Sequence, residues 1–143
     1  MKLALFRHNR KIHLPVIPTK KLIKFILNKE CKRLGEINIV ITSNKEILEI
    51  NNKYLKHNYY TDVISFNYNK KNNISGDIYI SEEQVILNAA NLSNKVEEEL
   101  LRVIVHGVLH LVGYNDVSEK EKLEMKLKED EYLNVFYNRF MNE

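Results

Sequence analysis

The stretch LLRVIVHGVLHLVGYND, residues 100–116, decides how this chain must fold. From Leu100 to Val112 almost every position other than Arg102, His106 and His110 is apolar or glycine. A helix that is apolar all round belongs in a core, and two imidazoles buried there are costly unless each finds a partner. Four residues apart, His106 and His110 share one helix face, with Cβ atoms about 5–6 Å from each other. Two nitrogens each ~2.0–2.1 Å from one tetrahedral ion stand roughly 3.3 Å apart, a spacing an i, i+4 pair reaches without strain. Gly113 ends the helix and turns the chain back. A ligand a few residues later can then meet the same ion from another side, and Asp116 occupies that place. His106, His110 and Asp116 are the expected ligands of one zinc ion, with a fourth position open to water as in catalytic sites. Two plainer readings compete: satisfied core histidines, and an Asp116 that belongs only to the cap region of the next helix. Gly107 stands where zinc proteases of the H-E-x-x-H type carry a glutamate general base. That argues against protease chemistry, while a glycine lets another segment or a substrate approach the helix closely.

Outward from this helix, which is expected over about Lys95–Val112, the pattern alternates between strands and helices. Residues 2–6 suit a short strand, and residues 19–34 follow helical spacing, with Pro18 near the start and Gly35 as the stop. In EINIVITS, Ile37, Ile39 and Ile41 alternate with Asn38, Val40 and Thr42, a strand with one strongly apolar face. Asn44 can cap a short helix to about Leu55. DVISFNY and DIYIS read as strands joined by the turn-rich loop NKKNNISG, a hairpin with a long loop. Ser81 with Gln84, Asn94 with Glu97 and Ser118 with Glu121 have capping-box spacing, each opening a helix. The last helix runs to about Phe140, and its charged stretch from Glu119 to Glu131 reads as a solvated face. The sum is one α+β domain over residues 1–143, about four strands in a mixed sheet packed with helices.

With 143 residues, 44% apolar and 29% charged, the chain can bury a core without disulfides or a structural metal, so a metal here points to function. The formal charge of +3 permits nucleic-acid binding without demanding it. The single cysteine, Cys31, falls among the apolar positions of the first helical pattern and reads as a small core residue of a reducing compartment. No apolar run approaches the ~20 residues that span a bilayer. The N-terminal apolar stretch is too short for a signal peptide, so a cytoplasmic location is expected.

The motif H-G-V-L-H-L-V-G-Y-N-D at 106–116 resembles the signature H-G-x-L-H-L-x-G-Y-D-H of the YbeY-type endoribonucleases, bacterial rRNA maturation factors. Y-T-D-V-I-S-F at 60–66 resembles that family's P-T-D-V-L-S-F, and G-D-I at 76–78 its L-G-D-I. The likeness covers most of residues 36–130. It implies a zincin-like α+β fold, a zinc ion, a single-stranded RNA substrate, and work on small-subunit rRNA 3′ ends and ribosome quality control in contact with the small ribosomal subunit. Three departures stand out. Asp116 replaces the family's third histidine, and two histidines with a carboxylate also suit iron(II). Leu55 stands where the family has an arginine after the aromatic corresponding to Tyr54, and Asn67 stands where it has a proline.

The resemblance implies metal-assisted phosphodiester cleavage, with cationic side chains holding backbone phosphates. Lys53, Lys56, His57, Lys70 and Lys71 flank the strands expected near the site and are the RNA-binding candidates. Asp62 and Asp77 could move protons or orient a ligand histidine, although each also suits a turn or strand-end role. The rival functions are a metal-dependent hydrolase of another substrate and a non-catalytic ribosome-assembly factor with a structural metal. Substituting Lys56 and His57 together is expected to weaken RNA cleavage while metal content, read by elemental analysis, stays intact. Unchanged cleavage removes both from the RNA path.

Overall fold

The computed structural model describes residues 2–7, 12–55 and 61–141. The elements run β1 (Lys2–Arg7), α1 (Val16–Lys29), β2 (Arg33–Thr42), α2 (Asn44–Leu55), β3 (Val63–Asn67), β4 (Asn73–Ser81), α3 (Glu82–Leu92), α4 (Val96–Val112) and α5 (Glu119–Val135). A π turn, Phe136–Phe140, continues α5. The four strands form one mixed sheet in the order β1-β2-β4-β3. β1, β2 and β4 are parallel, in a register that sets Leu5 beside Ile39 and Ile39 beside Ile78. β3 and β4 are the expected hairpin, pairing antiparallel with Ser65 opposite Ile78. β3 is therefore an edge strand.

Alternation in β2 and β4 sends Ile37, Ile39, Ile41, Ile74, Ile78 and Ile80 into the core. Helix α4 packs there, with Leu100, Ile104, Val105, Val108 and Leu109 fully buried. Gly107 makes this close approach possible. A Cβ at that position would stand 2.8 Å from Cγ2 of Ile78, inside van der Waals contact. On the outer face of the hairpin, α2 is joined through Tyr54, whose ring meets Phe66, which in turn meets Tyr79.

Several boundaries differ from the sequence reading. Helix α1 ends at Lys29, not near Leu34, and Gly35 lies inside β2 rather than stopping a helix. The stop is Cys31, whose φ of 60° is left-handed. The Lys32 N–H donates to the Leu27 carbonyl at 2.8 Å and the Cys31 N–H to Asn28 at 3.1 Å, the bond pattern of a Schellman cap. Cys31 is exposed at this turn rather than buried, because the helical stripe on which it was counted has already ended. Ser43, not Asn44, caps α2 by accepting the Glu46 N–H at 3.2 Å, while the Asn44 side chain accepts from the Ser81 hydroxyl. The Ser118–Glu121 box forms completely. Ser81 accepts the Gln84 N–H, but the Gln84 side chain turns to Asn88. No box forms at Asn94, since Lys95 is the N-cap of α4 and makes no side-chain cap bond.

In an ordinary helix interior, glycine to alanine stabilises by about 0.5–1 kcal/mol. At Gly107 the contact with Ile78 reverses the sign, and Gly107→Ala is expected to cost about 1–3 kcal/mol by overpacking. Urea unfolding reads the difference, and a raised midpoint would show that α4 has room above β4.

Candidate metal centre

Helix α4 buries one flank against the sheet and presents His106 and His110 on the other, each side chain part-exposed. Their Nε2 atoms stand 3.1 Å apart, with the rings at 79° to each other. Past Leu111 the helix closes on Gly113, whose φ of 126° lies in the region that favours glycine. The Tyr114 N–H returns to the Leu109 carbonyl at 3.0 Å. That reversal carries Asp116 back over the histidines: Oδ2 lies 3.3 Å from His106 Nε2 and Oδ1 3.5 Å from His110 Nε2. These separations bracket the roughly 3.3 Å that two ligands of one tetrahedral ion with ~2.0–2.1 Å bonds would have. The donor set present fits such an ion, and the three residues form a group able to hold one.

A clamp holds the reversal in place. The Tyr114 hydroxyl donates to Glu30 Oε1 at 2.8 Å, the Tyr132 hydroxyl donates to Oε2, and Lys128 Nζ stands 3.5 Å from the same carboxylate. Burial works against the Glu30 charge, but the two tyrosine hydroxyls and Lys128 outweigh it and hold the carboxyl below its ordinary value. The end of α1, the turn after α4 and the middle of α5 are thus tied at one point, two residues before Asp116.

The second nitrogen of His106 is also engaged. Nδ1 lies 2.6 Å from Glu129 Oε2, a short charge-assisted contact. Glu129 Oε1 accepts from Arg102 at 3.0 Å, and Arg102 reaches Asp130 at 2.9 Å. A proton on Nδ1, shared with Glu129, leaves the Nε2 lone pair facing the other two donors, the arrangement that orients metal-binding histidines. Burial lowers the His106 pKa, yet the Glu129 hydrogen bond and charge, followed by Asp116 and Asp62, raise it above its ordinary value. Glu129 corrects the reading of Glu119–Glu131 as a solvated face, since it is buried. Its signal lay in the spacing: Met125, Glu129, Tyr132 and Phe136 form one buried stripe, and a carboxylate within an apolar stripe needs a partner.

The three donors open into a cleft of about 600 Å³ walled by the edge strand β3 and by the end of α2. Asp62 lines it, with Oδ2 accepting from Asn88 at 3.1 Å. Burial raises the Asp62 carboxyl, partly offset by His106.

A family profile described as Endoribonuclease YbeY matches residues 6–137. The chain belongs to the endoribonuclease YbeY family. Among similar proteins, Endoribonuclease YbeY of Flavobacterium psychrophilum is 47% identical over 80% of this chain and 82% of its own length. That of Karelsulcia muelleri is 45% identical over 79% and 80%. That of Parabacteroides distasonis is 39% identical over 93% and 96%. A protein of Thermotoga maritima solved in solution superposes with a TM-score of 0.70 at 26% identity, covering 98% of this chain and 92% of that one.

Within this YbeY-family chain, Leu55 lines the cleft, so the departure from the family's arginine leaves an apolar wall there. Asn67 lines it as well, at the end of β3. Asp77 is not among the cleft residues; it accepts from Asn38 at 3.0 Å, next door on β2. Lys53, Lys70 and Lys71 also lie outside the cleft lining. Lys53 Nζ sits 5.2 Å from the Tyr54 ring centroid, and Lys70 bridges to Asn73 in the β3–β4 turn. That turn is fastened to α4 by Asn69, which donates to the Leu111 carbonyl at 2.7 Å. Lys56 and His57 lie outside the described residues.

Glu129→Gln keeps the shape of the side chain but removes the charge facing Nδ1. The expected result is a zinc dissociation constant raised about 10–100-fold in competition with a chromogenic chelator, with an unchanged circular-dichroism spectrum. Equal affinity would show that His106 is oriented without Glu129.

Proposed function

We propose that residues 1–143 act as one metal-dependent endoribonuclease domain that cuts single-stranded RNA, with His106, His110 and Asp116 as the ligands of the catalytic ion. The supporting observation is the convergence of the three side chains at the wall of an open cleft, the two imidazole Nε2 atoms 3.1 Å apart and the Asp116 carboxylate facing one with Oδ2 at 3.3 Å and the other with Oδ1 at 3.5 Å. Membership of the endoribonuclease YbeY family supplies the substrate class. The relatives carry that name, and the substrate proposed within it is small-subunit rRNA near its 3′ end, with contact to the small ribosomal subunit and a part in ribosome quality control. The proposed location is the cytoplasm; no helix among the described residues is long and apolar enough to cross a membrane.

An ion held by His106, His110 and Asp116 would supply Lewis-acid chemistry toward a phosphoryl oxygen and a water. The rest falls to the chain. His106 and His110 present Nε2, and Asp116 presents its carboxylate. Glu129 holds the His106 proton on Nδ1. The Asp62 carboxyl, raised by burial within the cleft, can accept or return a proton there. Leu55 and Ile64 give the cleft apolar surface against which a base can rest. Lys53, Lys70 and Lys71 would meet phosphates beyond the cleft, and Lys56 and His57 keep that role as candidates. Zinc suits the tetrahedral spacing. Two histidines and one carboxylate serve iron(II) as well, so elemental analysis of the purified protein decides the metal.

The part-exposed ligands favour a catalytic over a structural ion, because the hydrophobic core lies on the opposite flank of α4. Chelation should leave a folded, inactive protein, whereas a structural ion would take the fold with it. The primary test is cleavage of a labelled single-stranded RNA spanning a small-subunit rRNA 3′ end by the wild type and by His110→Ala. Cleavage by the wild type and a loss of at least about 100-fold in the variant are expected, the range for removing a metal's chemistry. Equal cleavage by both would place the activity outside this site.

A further inference from the structure

The triad opens on two sides. Besides the cleft along β3, a second cavity of about 450 Å³ lies between α4 and α5, and His106 and Asp116 line both. The two spaces differ in charge. Among the described residues, the β3 cleft is lined by no lysine or arginine. The second cavity is lined by Arg102, Lys122 and Lys126. Arg102 is already engaged by Glu129 and Asp130. Among the described residues, the Lys122 side chain has only a 3.7 Å contact with Glu119 at an exposed i, i+3 position, worth little in water. The two lysines are one turn apart on α5, so their side chains face the same groove.

Charge is sorted around α5 in a way that favours an anion on this side. Lys122 and Lys126 flank the buried Met125 and share its side of the helix with Glu129. Glu121 and Glu124 instead line a separate hollow beside Glu30 and Tyr114. Glu129, the one acid of α5 in the second cavity, already faces both Arg102 and His106.

An endonuclease must also accommodate chain on both sides of the bond it cuts. A single cleft ending at the metal would suit a terminus; two spaces that share two ligands suit a strand that continues. We infer that the RNA strand crosses the metal from the β3 cleft into the α4–α5 groove, where Lys122 and Lys126 bind the backbone phosphates next to the scissile one. This rests on the ribonuclease reading above and adds the path of the substrate and two residues that hold it.

The test is fluorescence anisotropy of the metal-loaded full chain with a labelled 2′-O-methyl oligoribonucleotide, single-stranded and resistant to cleavage, at several salt concentrations. The wild type is compared with Lys122→Gln/Lys126→Gln and with Lys24→Gln/Lys120→Gln, which removes the same charge away from the groove. Each phosphate contact on a single strand contributes about 0.7 to the slope of log affinity against log salt. The groove variant is expected to bind on the order of tenfold more weakly, with the slope reduced by about 1.4, while the control variant keeps the wild-type slope. Equal binding by the groove and control variants, or no binding by the wild type, overturns the inference. His110→Ala in the cleavage assay judges the ribonuclease reading separately. A wild type that cuts and a groove variant that binds normally would leave that reading in place and sink only the path.

Discussion

The site depends on how closely one helix can lie against one strand. Gly107 lets α4 settle on β4 over Ile78, and a single added carbon there would collide at 2.8 Å. That contact fixes the rotation of the helix. With one flank buried, His106 and His110 project from the other, at the height of the edge strand β3. The apolar flank and the histidine flank belong to the same 17-residue helix, so any shift of α4 against the sheet would move both imidazoles together.

Around that helix, the three side chains of the candidate metal centre are held by charges drawn from elements far apart in sequence. Glu129 on α5 faces His106 Nδ1, and Arg102, one turn before His106, faces Glu129 from the other side. A buried carboxylate is costly alone and tolerable between two donors. This pair of contacts lets a charge stand behind His106 without leaving it uncompensated. Glu30 works similarly at the turn, where two tyrosine hydroxyls and Lys128 fasten the segment that delivers Asp116. The three candidate ligands therefore reach one point through two independent constraints, a helical repeat and a clamped turn.

The departures from the family motif take on physical meaning in this frame. Asp116 is a shorter side chain than histidine, yet the tight reversal at Gly113 brings both of its oxygens within 3.5 Å of an imidazole nitrogen. Leu55, where the family motif has an arginine, sets an apolar side chain at the rim of the β3 cleft. Among the described residues, the lysines lining space around the triad lie on the opposite side, on α5.

The sequence by itself determined the elements whose signals are local. The alternation of Ile37, Ile39 and Ile41, the hairpin of β3 and β4, the complete box at Ser118 and Glu121, and the i, i+4 histidines followed by a glycine stop all act over a few residues, and all stand in the structure. The end of α1 was not legible, because Cys31 takes a left-handed conformation that sequence leads one to expect of glycine. Asn44 and Asn94 have cap chemistry, but neighbours took the caps. The spacing of Met125, Glu129, Tyr132 and Phe136 hinted that Glu129 is buried, but its partners, the Glu30 clamp and the groove of Lys122 and Lys126 belong to tertiary structure alone. Glu129 meets its partners across 23 and 27 positions and Glu30 across 84 and 102, and a charged side chain on a charged helix reads as solvated until another helix is laid beside it. Burial is decided by the neighbour, and the neighbour is not written in the local pattern.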